Sequence, residues 1–465
     1  MVKKMSIKVF FIFVCALVCL KIFAIFNTSF GLFGDEAQYW LWSRSFDLGY
    51  FSKPPLLAWF LGLYTNLFGS EFISLKFFAM PFYTLTAYLI YRICIKLELS
   101  KKDSISCALV FFIIPSASLS SFLISTDVIL LLFWSMLMNL VLIIRSSPKN
   151  LYFVFFGVVF GLALLAKYAA IYFLICLFFL TFYDKKSRLA FKTNPLGLLL
   201  FVLVSSVFLF PNLLWNHLNN WVTFSHTADN ANLNNYNISL LRGLGFLTIQ
   251  IAILGPVIFF GFLINIKNLK FDFQNLYLLS FSIPILVIVF FESVIVRANA
   301  NWAAPALLSL LIFFFRSIKK YKYPLININF FFNWFVGCFL FFSIAMSYPF
   351  SFFNRINGVK EFALEIVQIS KESSIIVNDR MLFSSLAYEL RHYPVKILMP
   401  HNPKNPISNH FQLKSNLKKN YGEGFFLIGD PINISYLSKK YQTSFIKRYD
   451  KKFTSEPIYL YEVTF

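Results

Sequence analysis

The residues best equipped for chemistry lie in one short stretch, FGDEAQYWLWSRSFDLGYFSKPPLLAW, residues 33–59. Two adjacent carboxylates, Asp35 and Glu36, precede Tyr39, Trp40 and Trp42, and Tyr50 stands shortly before Lys53-Pro54-Pro55. A carboxylate can orient or deprotonate an attacking hydroxyl. Rings such as Tyr39, Trp42 and Tyr50 can stack on a sugar. An ammonium on a backbone fixed by two prolines, Lys53, suits a phosphate. The plainer reading is an interfacial loop whose acids stay hydrated and whose lysine snorkels.

Other segments carry polar groups at the edges of apolar runs. Asp127, in SSFLISTDVILLLFW, reads either as part of an N-cap with Ser125 and Thr126 or as an acid at the level of Asp35, where the two could share an acceptor hydroxyl, a metal or a basic partner. Lys167, in GLALLAKYAA, is a cation between apolar runs and needs a partner. VRANANWAAPALL supplies Arg297, a planar donor matched to phosphate, with Asn301 and Trp302 suited to a sugar. PNLLWNHLNNWVTFSHTADNANLNN holds His217 and His226 among asparagines and tryptophans, a setting suited either to hydrogen-bonding a sugar or acceptor, with His217 the candidate, or to loop structure. Either histidine could bind a divalent metal ion, although an isolated pair is more often incidental, so a metal stays open. The Gly-Glu-Gly at 422–424 precedes a strand rather than opening a helix and is not a phosphate loop.

The elements that hold these groups are membrane helices. Of 465 residues, 58% are hydrophobic and only 14% charged, with mean hydropathy +0.67, which excludes a soluble surface, disorder and a coiled coil. Apolar stretches of about 20 residues mark spans near 7–26, 72–95, 105–123, 127–145, 151–167, 168–183, 196–214, 242–265, 276–296, 302–316 and 328–348. That predicts about eleven transmembrane helices. The net charge of +21 would suggest nucleic acid in a soluble chain. Here Lys3, Lys4, Lys8, Lys96, Lys101, Lys102, Arg145, Lys149, Lys185, Lys186, Arg188, Lys192, Lys267, Lys270, Arg316, Lys319, Lys320 and Lys322 fall in every second gap. They read as topology signals instead, and no nucleic-acid partner is expected. The rule places the N-terminus in the cytoplasm, with 27–71, 124–126, 215–241, 297–301 and the C-terminus outside.

The division expected is a membrane portion, 1–348, whose first outer loop, 27–71, is catalytic, and an exported α/β domain, 349–465. SSIIVND, VKILMP, GFFLIGD and PIYLYEV read as strands, with helical spacing in GVKEFALEIVQISKE and MLFSSLAYELRHY. The six cysteines all lie in apolar stretches, so no structural disulfide is expected.

The run GDEAQYWLWSRSFDLGYFSKPPLLAW, with STDVILLLFW, GLALLAKYAA, PNLLWNHLNNWVTF and NANWAAPA, resembles bacterial family 39 membrane glycosyltransferases, relatives of the protein O-mannosyltransferases and of the lipid A aminoarabinose transferase. The resemblance implies a GT-C fold. It also implies transfer of a sugar from a polyprenyl-phosphate donor to a lipid (lipid A), glycan or protein acceptor, with membrane lipids as further partners. It gives Asp35 the part of principal catalytic acid, Asp127 that of second carboxylate and Lys53 that of donor-phosphate contact, with Glu36 the motif's second acid. Arg297 and Lys167 are expected beside Lys53 on the phosphate. Ser52 stands where the aminoarabinose transferase pattern has Glu, which departs from any metal site using that acid. The competing class is a transporter or flippase of lipid-linked sugars. Transporters favour repeated halves and charges at the bilayer midplane, whereas these polar groups gather at one face.

Overall fold

The computed structural model describes residues 6–231, 238–318, 321–454 and 456–465. Lys3, Lys4, Lys319 and Lys320, read as topology signals, and residues 232–237 of the Asn-rich stretch lie outside them. Two compact units interleave along the chain. One comprises Met1–Ala24, Lys53–Leu57 and Lys76–Phe342, and the other Ile25–Ser52, Ala58–Leu75 and Ser343–Phe465. The first outer stretch thus groups with the tail, where composition alone divides the chain near residue 348.

The first unit is a helical bundle. Seven helices are long and apolar enough to cross a membrane: Ile7–Asn27, Phe72–Lys96, Thr126–Ser146, Pro195–Leu218, Phe273–Ile295, Ala300–Ser317 and Lys322–Ala345. Two bent pairs, Tyr168–Tyr183 with Lys185–Lys192 and Leu240–Leu254 with Pro256–Asn265, raise the number to at most nine among the described residues. The other two expected spans are helical but short. Helix Lys101–Ile113 stops before Pro115, which opens a separate helix, Pro115–Ser120. Helix Asn150–Ala166 has 17 residues and ends where Lys167 turns extended, at φ −162° and ψ 129°.

The bend at Gly255 has a local cause. Its φ of +114° is open to glycine, and a Cβ there would lie 2.8 Å from the side chains of both Asn329 and Asn333. Proline follows directly, so one helix ends and another starts. Thr126–Ser146 is the most enclosed of the seven long helices, with Ile129, Leu130, Trp134, Leu137, Met138 and Val141 each at 0–1% exposure. Such burial on every side marks a helix ringed by others.

The second unit contains a six-stranded sheet: β1 (Ser374–Val377), β2 (Ile397–Pro400), β3 (Asn416–Leu417), β4 (Phe425–Ile428), β5 (Gln442–Tyr449) and β6 (Ile458–Thr464), in spatial order β3-β2-β1-β4-β6-β5. The strands β3, β2, β1 and β4 run parallel, while β6 runs antiparallel to both its neighbours, β4 and β5. Period-two burial supplies two cores. Ile375 and Val377 pack with Phe362, Ile366, Phe383 and Leu386 of helices Val359–Ser370 and Arg380–Glu389. Ile376 faces the other way, among Leu398, Leu417, Leu427 and Val463. The four strands and two helices expected are present. The strand β5, QTSFIKRY, is exposed at every position but Tyr449, so as an edge strand it carries no alternation to read.

Contacts inside this unit tie the outer loop to the sheet domain. Glu71 accepts from Arg391 at 2.7 Å and lies 3.1 Å from His392. Asp47 pairs with Lys414 at 2.9 Å, and the Tyr388 hydroxyl donates to the Ser70 carbonyl at 3.1 Å. Trp40 meets the Tyr388 ring edge-on at 5.1 Å.

Candidate functional site

The paired acids open helix Gly34–Trp42, and its seating separates their duties. Gly34 lies against helix Arg380–Glu389 so closely that a Cβ on it would come within 2.9 Å of Met381 Cβ. Glu36, 2% exposed, turns back so that its Oε2 accepts the Phe33 amide at 3.0 Å, half of a capping box. Asp35 is exposed and has no hydrogen-bond or ion-pair partner among the described residues. A carboxylate in the first turn is stabilised by the helix dipole. Asp35 lines a cleft of about 760 Å³ formed within this unit.

The aromatic residues that follow do not surround that acid with open rings. Tyr39, Trp42 and Tyr50, expected on the sugar, are 7%, 2% and 0% exposed. Trp42 stacks on Tyr50 at 4.7 Å, and its other neighbours are Tyr39 at 5.4 Å and His410 at 5.5 Å. The Tyr50 hydroxyl donates to the Trp42 carbonyl at 2.8 Å, and burial pushes its pKa up to about 12. This block therefore sets the path of the loop, with its ring faces already occupied. His410 belongs to it but was not legible beforehand, since it lies far along the chain in a polar stretch. It is 5% exposed with Nδ1 unpaired among the described residues, and burial holds its pKa down at about 4.

The second constellation lies inside the helical unit. Asp127 stands in the first turn of Thr126–Ser146 and is 7% exposed. Its Oδ1 accepts from Lys167 Nζ at 2.6 Å, and its Oδ2 accepts from Asn301 Nδ2 at 2.7 Å. The preceding Ser125 makes no side-chain cap bond, so the carboxylate acts in tertiary contacts rather than as a cap. Three elements meet at it: this helix, the extended residue after Asn150–Ala166 and the short turn Ala300–Ala303. Lys167, expected on the donor phosphate, has its charge balanced by Asp127, and Asn301, expected on a sugar, donates to the same acid.

Neighbouring polar groups extend this layer. The Tyr168 hydroxyl donates to Asn212 Oδ1 at 2.6 Å, and Gln250 Nε2 donates to the Ala300 carbonyl at 2.9 Å. Arg242 caps the end of helix Ile283–Ile295 by donating to the Val294 carbonyl at 3.2 Å and to that of Val296. Arg242 and Gln250 sit in an apolar run whose hydropathy hides them. Arg297, just beyond, is exposed with no partner among the described residues. Lys53 is half-buried ahead of helix Leu56–Phe68, the short amphipathic element expected there. Trp302 is half-buried, and His217 is exposed with its ring 6.1 Å from Trp221. Among the described residues no three His, Cys, Asp or Glu side chains converge to hold a metal ion.

Comparison with known proteins gives three findings. Residues 52–215 match a family described as Dolichyl-phosphate-mannose-protein mannosyltransferase. A curated relative, the lipid A galacturonosyltransferase RgtD of Rhizobium johnstonii, is 31% identical over 277 residues, 59% of this chain. The match spans 58% of that relative's length. Among solved structures, ArnT from Cupriavidus metallidurans bound to undecaprenyl phosphate superposes with a TM-score of 0.64 at 14% identity, over 97% of both chains. The oligosaccharyltransferase AglB from Archaeoglobus fulgidus, in complex with an inhibitory peptide and a dolichol-phosphate, gives 0.51 at 11% identity over 90% of this chain and 69% of its own.

Proposed function

We propose that this chain, a multi-pass membrane protein with the GT-C fold of membrane glycosyltransferases, transfers a sugar from a polyprenyl-phosphate donor to an acceptor on the periplasmic side of the bacterial inner membrane. The acceptor class is lipid A or another glycolipid, a glycan, or a protein. The observation that carries the reading is Asp35: an exposed carboxylate without a partner among the described residues, at the start of a helix whose other acid is already used in capping. A carboxylate held in a fixed frame and left open to a substrate is the form a catalytic base takes.

The roles follow from charge and residue type. Asp35 orients the acceptor hydroxyl, or takes its proton, as that oxygen attacks the anomeric carbon. Lys53 and Arg297 neutralise the charge that grows on the departing polyprenyl phosphate. Attack opposite the leaving group inverts the anomeric centre. The Asp127–Lys167 pair, fixed by Asn301, holds three elements of the helical unit in place, so Lys167 acts through Asp127. The N-terminus is assigned to the cytoplasm and the tail to the periplasm by the alternation of basic gaps.

The test is an incubation of purified protein with polyprenyl-phosphate sugar and candidate acceptors in detergent. Transfer yields free polyprenyl phosphate and glycosylated acceptor in equal amounts. A flippase would instead move the intact lipid between the leaflets of a vesicle with no bond broken, and that outcome would remove the proposal.

A further inference from the structure

The tail has the topology of an open α/β sheet with a switch point. From β1 the chain moves outward to β2 and then β3, and afterwards returns to the opposite side of β1 as β4. The crossover connections after adjacent parallel strands β1 and β4 therefore leave in opposite directions. In open α/β sheets the crevice beyond the carboxyl ends of two such strands is where ligands bind. Here those ends carry Asn378-Asp379 and Gly429-Asp430, and all four residues line the cleft of about 760 Å³. The two loops are tightly drawn together: Gly429 has φ +143°, and a Cβ there would lie 2.9 Å from Asn378 Cβ.

Three observations make this crevice a site rather than a surface dent. Asp35 lines it, within the same compact unit. Ser385 also lines it, is only 7% exposed, and has no side-chain partner among the described residues, so a buried hydroxyl is left open to whatever enters. The charge is opposite to that of the surrounding chain. Four carboxylates, Asp35, Asp379, Asp430 and Glu456, face one guanidinium, Arg355, whereas the protein as a whole carries +21. Tyr459 and Tyr461 add ring surface on one wall.

We infer that the crevice at the β1/β4 switch point binds the sugar headgroup of the acceptor, through hydroxyl or amino groups and not through phosphate. This deepens the transferase reading and rests on it for the word acceptor. Carboxylates take hydrogen bonds from several hydroxyls or from an ammonium, while they repel a phosphate monoester. Asp379 and Asp430 each use one oxygen as a helix cap, on Leu382 at 2.7 Å and Ile432 at 2.9 Å, which leaves the other for a ligand.

The experiment measures binding to the full-length protein in lipid nanodiscs by titration calorimetry, with two probes. One is a glucosamine disaccharide, and the other is the same disaccharide carrying a phosphate. The wild type is expected to bind the first and to bind the second at least about tenfold more weakly. Asp379→Asn with Asp430→Asn keeps both caps, because Asn caps equally well, and should weaken the first probe by about tenfold. Ser385→Phe, checked for folding by its melting temperature, should block it. Undiminished binding in both variants, or tighter binding of the phosphorylated probe, overturns the assignment. A wild type that binds the disaccharide but transfers no sugar would refute the transferase reading and leave the crevice standing, so the two failures are distinguishable.

Discussion

Asp35 and Asp127 are both carboxylates in the first turn of a helix beside an apolar segment, yet their surroundings are opposite. Asp127 is 7% exposed, with one oxygen on Lys167 and the other on Asn301. Asp35 is exposed and pairs with nothing among the described residues, although its neighbour Glu36 is buried and engaged. A buried acid with both oxygens engaged is costly to disturb. An acid left open in a rigid frame is available for work. Within one chain, the same residue type thus stands in two settings, one closed by partners and one open to a ligand.

The sharpest way to break this contrast is to remove the buried partner. Asp127→Ala strands the Lys167 ammonium and is expected to cost about 3–5 kcal/mol of stability, read as a large fall in melting temperature in detergent. Asp127→Ala with Lys167→Met should recover much of that loss, since no unpaired charge remains. A single variant that melts like the wild type would show that the pair holds nothing.

A smaller effect tests the unit that carries Asp35. His410 packs against Trp42 and Tyr50, and burial holds its pKa down from 6.5 to about 4. Above pH 6.5 the imidazole is neutral whether folded or not, and its contribution to stability is complete. As pH falls from 6.5 towards 4, the unfolded chain gains a proton that the fold refuses. About 3 kcal/mol is then lost from this source. Melting curves across that window should show the decline, and His410→Phe should flatten it.

The smallest effect concerns the ties between the outer loop and the sheet domain. Glu71 is 66% exposed in its side chain, so its bridge to Arg391 is solvent-screened. Glu71→Gln is expected to cost about 0.2–1 kcal/mol at low salt and less at high salt. A loss of several kcal/mol would mean that this tie, rather than the aromatic block and the Gly34 contact, fixes the loop.

Most of the architecture could be read from residues alone, for identifiable reasons. Long apolar runs and alternating basic gaps mark membrane helices, and period-two stretches mark β1, β2, β4 and β6. What escaped depends on facts that patterns do not encode. Pro115 and the turn at Lys167 shorten two expected spans, and the exposed strand β5 has no buried side to alternate with. Residue types identified Asp35, Lys53, Asp127 and Arg297 as candidates. They did not reveal that Asp127 would meet Lys167 across 40 positions, or that Trp42 and Tyr50 would spend their faces on each other and on His410. The grouping of the first outer loop with the tail was equally hidden, because the contacts that produce it join residues more than 300 positions apart.

The central claim is that Asp35 does chemistry and is not needed for the fold. Its most direct test is Asp35→Asn, purified beside the wild type, with transfer from a polyprenyl-phosphate sugar and melting temperature measured on the same preparation. The expected result is transfer reduced by about 10²- to 10⁴-fold with an unchanged melting temperature. Turnover within about twofold of the wild type, at equal stability, would contradict the account.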